Sequence, residues 1–184
     1  PKSVSASGGR LQHKGDDGEV PDVEILHYDY PGFVMTFEHS HFANAMSKIN
    51  GKIRSGDQFP YWPQCATRIE FYGTKDNMML GRHGGGWQVF TSGGRVVEQQ
   101  YGRHPDPEHQ QNFVDCIRNR KRPNADVGLA HGSTTVMHMG NIAHRVGNQK
   151  LQFDAGADRF IGNDAANLLA KRQNVNEFSV TEPV

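Results

Sequence analysis

Between Pro105 and Gly147 the chain reads as two consecutive helices parted by a proline-marked turn, and amphipathic helices of this kind need a sheet to lie on. In the first, Phe113, Val114 and Ile117 fall at helical spacing. Asp106 suits the N-cap, where its side-chain oxygen accepts from an early unpaired N–H. Pro107 suits the first helical position and Glu108 the positive end of the dipole. Arg118, Arg120, Lys121 and Arg122 stand at the negative end, and Pro123 stops the run. The second helix, from about Gly128 or Ser133, carries Val136, Met139, Ile142, Ala143 and Val146 as an apolar stripe, and Gly147 closes it.

The segments around these helices supply the strands. Val4 to Ser7 alternates and ends in Gly8-Gly9, and the polar run 10–21 reads as a loop. Val23 to Tyr30 and Phe33 to His39 flank Pro31-Gly32 as a hairpin. Residues 40–66 are irregular, and a loop of that length inside a domain is usually functional or disordered. Arg68 to Tyr72, Asn77 to Leu80, Trp87 to Phe90 and Arg95 to Glu98 follow as a meander broken by glycines, hence antiparallel. Leu151 to Asp154 is a short strand, and Asp164 caps a last short helix through Leu168 and Leu169. Strands before helices predict an α+β fold in one domain, 1–184. The sheet is expected to be open and predominantly antiparallel, with helices on one face and the other face solvated or covered by a partner.

Composition narrows the function. Twenty basic and twenty acidic side chains cancel, which leaves no electrostatic footprint for nucleic acid or an anionic membrane. Only 35% of residues are hydrophobic, and mean hydropathy is −0.70. That suits exposed polar loops, or a chain that is part of something larger. No apolar run reaches the roughly 18 residues a membrane span needs. Cys65 and Cys116 are far apart, form no CxxC and demand no oxidising compartment.

Several residues are candidates for chemistry. The cluster Gly81 to Gly86 leads into the strand at Trp87 and not into a helix, so it reads as a turn and not as a dinucleotide cradle. His39 and His41 would share a face on a strand, as in some metal sites, with further ligands from His83, His131 or a distant acid. With no paired short motif, imidazoles bordering a polar cleft are the preferred reading, and no metal is assigned. His131 and His138 share a helix face. His138 reads as helix surface, whereas His131 sits at the helix start, where site loops gather. The loop from His41 to Gln64 carries Lys48, Lys52, Arg54, Tyr61 and Trp62. Aromatics beside hydrogen-bonding groups suit polyols, although an ordinary surface loop or subunit contact reads the same way.

The run Arg68-Ile-Glu-Phe-Tyr-Gly-Thr-Lys-Asp-Asn-Met-Met-Leu resembles a segment of the Gfo/Idh/MocA oxidoreductases, the glucose–fructose oxidoreductase and inositol dehydrogenase family. So do the stretch His109 to Ala125, His131-Gly-Ser-Thr-Thr, Gly140-Asn-Ile-Ala-His-Arg-Val-Gly, Phe153-Asp and Phe160-Ile-Gly-Asn-Asp-Ala-Ala-Asn. Tyr28 to Phe33 resembles the hairpin of the bacterial subgroup. The likeness covers nearly the whole chain and is specific to the C-terminal half of that family.

This resemblance implies a substrate-binding and dimerisation domain, with NAD or NADP bound by a separate Rossmann domain. The reaction implied is hydride transfer at a carbohydrate or cyclitol hydroxyl carbon. The family's G-x-G-x-x-G, its Glu-Lys-Pro lysine and its Asp/His pair lie upstream of the matching region. The 184 residues alone are therefore expected to bind no nicotinamide and not to catalyse, and no residue is assigned a catalytic role. Tyr61, Trp62, Arg82, His83 and His131 are expected to border the pocket for a sugar-like ligand, and the open sheet face to join a second copy. The compartment expected is cytoplasmic, with any export signal lying upstream of Pro1. Two alternatives stay open: a stand-alone binding or assembly module, and a domain of an NAD-dependent glycosidase of the same family.

Overall fold

Val4 and Ala6 project to one side of the first strand and Ser3, Ser5 and Ser7 to the other, and a layer grows from that alternation. The computed structural model describes residues 1–42, 44–81 and 84–171. In chain order the strands are β1 (Ser3–Gly9), β2 (Val23–Tyr30), β3 (Phe33–Ser40), β4 (Arg68–Tyr72), β5 (Asn77–Gly81), β6 (Trp87–Phe90), β7 (Val96–Gln100), β8 (Leu151–Asp154) and β9 (Arg159–Ile161). The helices are α1 (Gly51–Ser55), α2 (Asp106–Asn119), α3 (Val127–Arg145) and α4 (Asp164–Ala170). The fold is α+β, and every pair of named strands runs antiparallel. The chain divides into two compact units, one of Pro1–His41 with the chain from Asp126 onward, the other of Phe42–Ala125.

The first unit holds a five-stranded sheet in the order β3-β2-β1-β8-β9. Register sets Val4 against Tyr28 and Ala6 against Leu26, so one face is apolar apart from the buried Glu24 opposite Gly8. α3 lies on that face. Its Met139, Ile142 and Ala143 are buried with Leu151, Phe160 and Ala166 of α4. Each large side chain so buried contributes about 1.5–3 kcal/mol. The opposite face is mostly polar. There Asp29 accepts from Ser3 Oγ at 2.6 Å and Lys150 Nζ at 2.8 Å, and meets His27 Nε2 at 3.2 Å. The Lys150 bond does most to hold the Asp29 carboxyl well below the usual range.

The polar run 10–21 is tied down by the residue that follows it. Asp22 is 3% exposed, and its carboxylate accepts the N–H groups of Leu11, Gln12 and His13 at 2.9, 3.0 and 3.0 Å. These bonds, the one from Leu11 first, hold its pKa far below the ordinary carboxylate range. A depressed folded pKa stabilises the fold fully above the unfolded value of about 3.9, and that stability is lost as pH falls through the folded pKa. Asp22→Asn is therefore expected to lower Tm by several degrees at pH 7 and to flatten the loss of stability below about pH 4. Melting curves at pH 7 and pH 3 test this. Equal Tm values at pH 7 would count against an anchoring role.

The second unit holds a separate four-stranded sheet, β4-β5-β6-β7, where the sequence suggests one continuous open sheet. Residues 44–66 cover one of its faces and are not an unstructured loop. Asn50 caps α1 by accepting from the Lys52 N–H at 2.8 Å, and Trp62–Gln64 form a short 3-10 turn. Ile49, Trp62 and Cys65 are buried there against Ile53, Phe59, Met79 and Phe90. The other face carries Ile69, Phe71, Met78, Leu80, Val89 and Trp87, of which Ile69 and Phe71 are about half exposed. α2 buries none of its residues, and its Phe113, Val114 and Ile117 are exposed.

Two caps differ from expectation by one residue. Asp106 lies in the first turn of α2, and Pro105 holds the cap position without a side-chain bond. In α4 the cap is Asn163, whose Oδ1 accepts from the Ala166 N–H at 2.9 Å, with Asp164 in the first turn. α3 starts at Val127, capped by Asp126, and Gly147 closes it at φ 92°.

Candidate functional site

Helical spacing lines one side of a cleft in the first unit, of about 720 Å³. His131, Thr134, Thr135, His138, Asn141 and Arg145 fall at i, i+3, i+4, i+7, i+10 and i+14, a single face of α3. The apolar stripe packs on the sheet, so this neighbouring stripe is left to face the cleft. Phe153 contributes an aromatic wall, backed by the buried ring of Phe160 edge to face with centroids 5.3 Å apart. Glu19 to Pro21 and Leu169 to Lys171 complete the lining.

At one end His131 Nε2 meets Asp158 Oδ2 at 3.1 Å. Asp158 sits in the turn between β8 and β9 with φ 47°, a left-handed conformation uncommon for a residue other than glycine. Its carboxylate engages one ring nitrogen of an exposed imidazole. At the other end Arg145 Nη2 lies 3.7 Å from Glu19 Oε2, an exposed and weak pair. The lining therefore offers hydroxyls, imidazoles, an amide and a guanidinium beside aromatic carbon. That inventory can hydrogen-bond a polyhydroxylated molecule and pack against its C–H groups.

A second cleft, of about 690 Å³, lies within the second unit. Leu80, Trp87 and Gln100 form its floor, and Arg103, His104, Asp106, Glu108 and His109 its walls. Gly84, Gly85 and Gly86 next to it have φ of 94°, 83° and 68°. A Cβ on Gly86 would stand 2.0 Å from the Gln100 carbonyl oxygen. These glycines turn β5 into β6 and let the chain pass close to β7. No helix follows them, so the strand, glycine loop and helix a dinucleotide needs are not assembled there.

The residues singled out from sequence are placed apart. His131 borders the first cleft. Tyr61 is 69% exposed and lines neither cleft. Trp62 is buried in the second unit, and its indole N–H is engaged by Gln88 Oε1 at 2.8 Å. Arg82 and His83 lie outside the described residues, although the flanking Gly81 and Gly84 line the second cleft. His39 and His41 stack edge to face with centroids 4.6 Å apart, and no group of three or more metal-ligating side chains occurs among the described residues. The sequence reading missed Asp158, which only the β8–β9 turn brings to His131. It also missed Thr134, Asn141 and Arg145, although their spacing on α3 was legible.

Comparison with known proteins places the chain. Residues 66–180 match a family described as an oxidoreductase family, C-terminal alpha/beta domain. The chain belongs to this family, the Gfo/Idh/MocA oxidoreductases, as a C-terminal domain of its second type. A putative oxidoreductase from Klebsiella pneumoniae superposes with TM-score 0.57 at 12% identity, over 92% of this chain and 47% of its own. The WlbA dehydrogenase from Bordetella pertussis, solved with NADH and UDP-GlcNAcA, gives TM-score 0.45 at 17% identity over 83% and 40%. The chain thus spans less than half the length of either structure. No curated protein matches it. No helix among the described residues is long and apolar enough to cross a membrane.

Proposed function

We propose that this chain is the substrate-binding and oligomerisation domain of an NAD(P)-dependent oxidoreductase acting on a sugar or cyclitol hydroxyl. The observation that carries the reading is the cleft along α3, where a polar helix face stands against aromatic carbon in a chain of an oxidoreductase family. His131, held by Asp158, is the residue assigned to hydrogen-bond a ligand hydroxyl. The nicotinamide would be held by a domain outside these residues, because the glycine run here joins two strands. The cofactor supplies hydride transfer when bound, and this chain's part is to bind and orient the polyol.

The half-exposed apolar face around Ile69 and Phe71 is assigned to a second copy of the chain. Antiparallel sheets usually solvate their free face with polar residues, and this face is apolar on three strands.

Titration calorimetry with hexoses and inositols tests the binding role. Saturable binding by the 184-residue chain is expected, weakened about tenfold by His131→Ala, while NADH and NADPH give no heat. Saturable nicotinamide binding would overturn the division of labour. Light scattering on the same samples should show a dimer that Phe71→Lys converts to monomer.

A further inference from the structure

The second unit leaves two apolar surfaces exposed. One is the open face of its sheet, where Ile69 and Phe71 of β4 stand opposite Leu80 and Met78 of β5, with Val89 of β6 next to Met78. The other is α2, a helix of 14 residues that buries none of them. Its Phe113, Val114 and Ile117 fall at i, i+1 and i+4 and are 57%, 39% and 52% exposed. A helix with such a stripe normally lies on its own sheet, but the root of α2 is pinned. Gly102, in the connection from β7, packs so closely on Gly86 that a Cβ there would stand 2.6 Å from the Gly86 nitrogen. Pro105 and Pro107 then fix the backbone at the helix start. The far end folds back onto the helix itself. The Lys121 N–H donates to the Cys116 carbonyl at 3.1 Å, and the Asn124 N–H to Asn112 Oδ1 at 2.9 Å. With both ends held, α2 meets the cleft beside the sheet through its first turn, at Asp106, Glu108 and His109, and its apolar stripe lies farther along.

We propose that α2 is an exchanged arm: it packs on the open sheet face of a second copy, while that copy's α2 packs on this one. The inference rests on the assignment of that face to a second copy and names what covers it. The sizes agree, because four strands about 4.8 Å apart make a face about 14 Å across, room for one helix about 10 Å wide. Charge agrees as well. Register places Glu98 of β7 on the open face beside Val89, and α2 brings Arg118 in its last turn. A twofold axis makes each contact twice. One arrangement then buries both apolar surfaces of both copies, whereas sheet against sheet would leave α2 bare.

Light scattering over a dilution series and a cross-link test this. Ile117→Lys should raise the dimer's dissociation constant about thirtyfold or more, as Phe71→Lys should. Its circular dichroism spectrum should stay that of the wild type, because α2 buries none of its residues within the chain. A chain carrying Phe71→Cys, Ile117→Cys and Cys116→Ser, treated with a flexible bismaleimide, should give a covalent dimer in which peptide mapping joins position 71 of one copy to position 117 of the other. An Ile117→Lys protein that dimerises like the wild type, while Phe71→Lys is monomeric, would overturn the exchanged arm and leave the sheet face as the interface. A 71–117 link closed within one chain would show α2 lying on its own sheet and would overturn it too, as would a mapped product with no 71–117 link. A wild-type chain that stays monomeric would sink the second-copy reading and this inference together.

Discussion

Phe160→Ala is expected to cost about 3–5 kcal/mol, the loss typical of a fully buried aromatic side chain cut to alanine. The ring is 1% exposed and sits edge-on to Phe153, so its removal leaves a cavity in the centre of the first unit. The backbone around it is held unusually. Its N–H donates to Asn167 Oδ1 at 2.8 Å and its carbonyl accepts from Asn167 Nδ2 at 2.9 Å. β9 is an edge strand of three residues, and Asn167 takes the place of a neighbouring strand on its open side. Asn167→Leu should therefore also destabilise, by about 1–3 kcal/mol, because it strands a buried donor and acceptor. Urea denaturation measures both. A Phe160→Ala protein within about 1 kcal/mol of wild type would show that the unit's core lies elsewhere.

That pair explains what the Phe160 to Asn167 motif does. Phe160 fills the core, Asn163 caps α4, Ala166 packs without a gap and Asn167 braces the edge strand. Each task is structural, and sequence alone could mark the motif as familiar without saying so. Much of the rest was legible, because alternation at Val4 and Ala6 and period-3.6 spacing on α3 are local properties. The residues 44–66 were not. Their cover over the second sheet depends on Ile49, Trp62 and Cys65 meeting Met79 and Phe90, contacts made far along the chain. The same limit misplaced the aromatic candidate, since Trp62 looks like a ligand platform until Gln88 is found on its indole. His131 was singled out because a helix start is readable. Asp158, twenty-seven residues away and reached through a left-handed turn, was not.

Gly140→Val is expected to cost at least about 3 kcal/mol by overpacking the contact between α3 and β2. A Cβ at Gly140 would stand 2.2 Å from Leu26 Cδ1 and 2.7 Å from the Tyr28 hydroxyl oxygen. Leu26 is 4% exposed and Tyr28 2%, so neither can move into solvent. Tyr28 also donates its hydroxyl to the Val136 carbonyl at 2.9 Å, and burial raises its phenol pKa well above the ordinary value. Lifting the helix breaks that bond and leaves a buried hydroxyl unpaired, adding about 1–3 kcal/mol. A double-mutant cycle isolates the cause. Gly140→Ala alone should cost about 1–3 kcal/mol and Leu26→Ala about 2–5 kcal/mol. Because the second makes room for the first, the double variant should cost less than their sum by about 1 kcal/mol or more. Additive costs would mean that the helix is held off by something other than Leu26. The same substitution reaches the cleft, since His138 and Asn141 flank Gly140 on α3. Gly140→Ala should therefore weaken ligand binding without touching a ligand. The closeness of helix to sheet thereby sets both the stability of the unit and the line along which its polar face is presented.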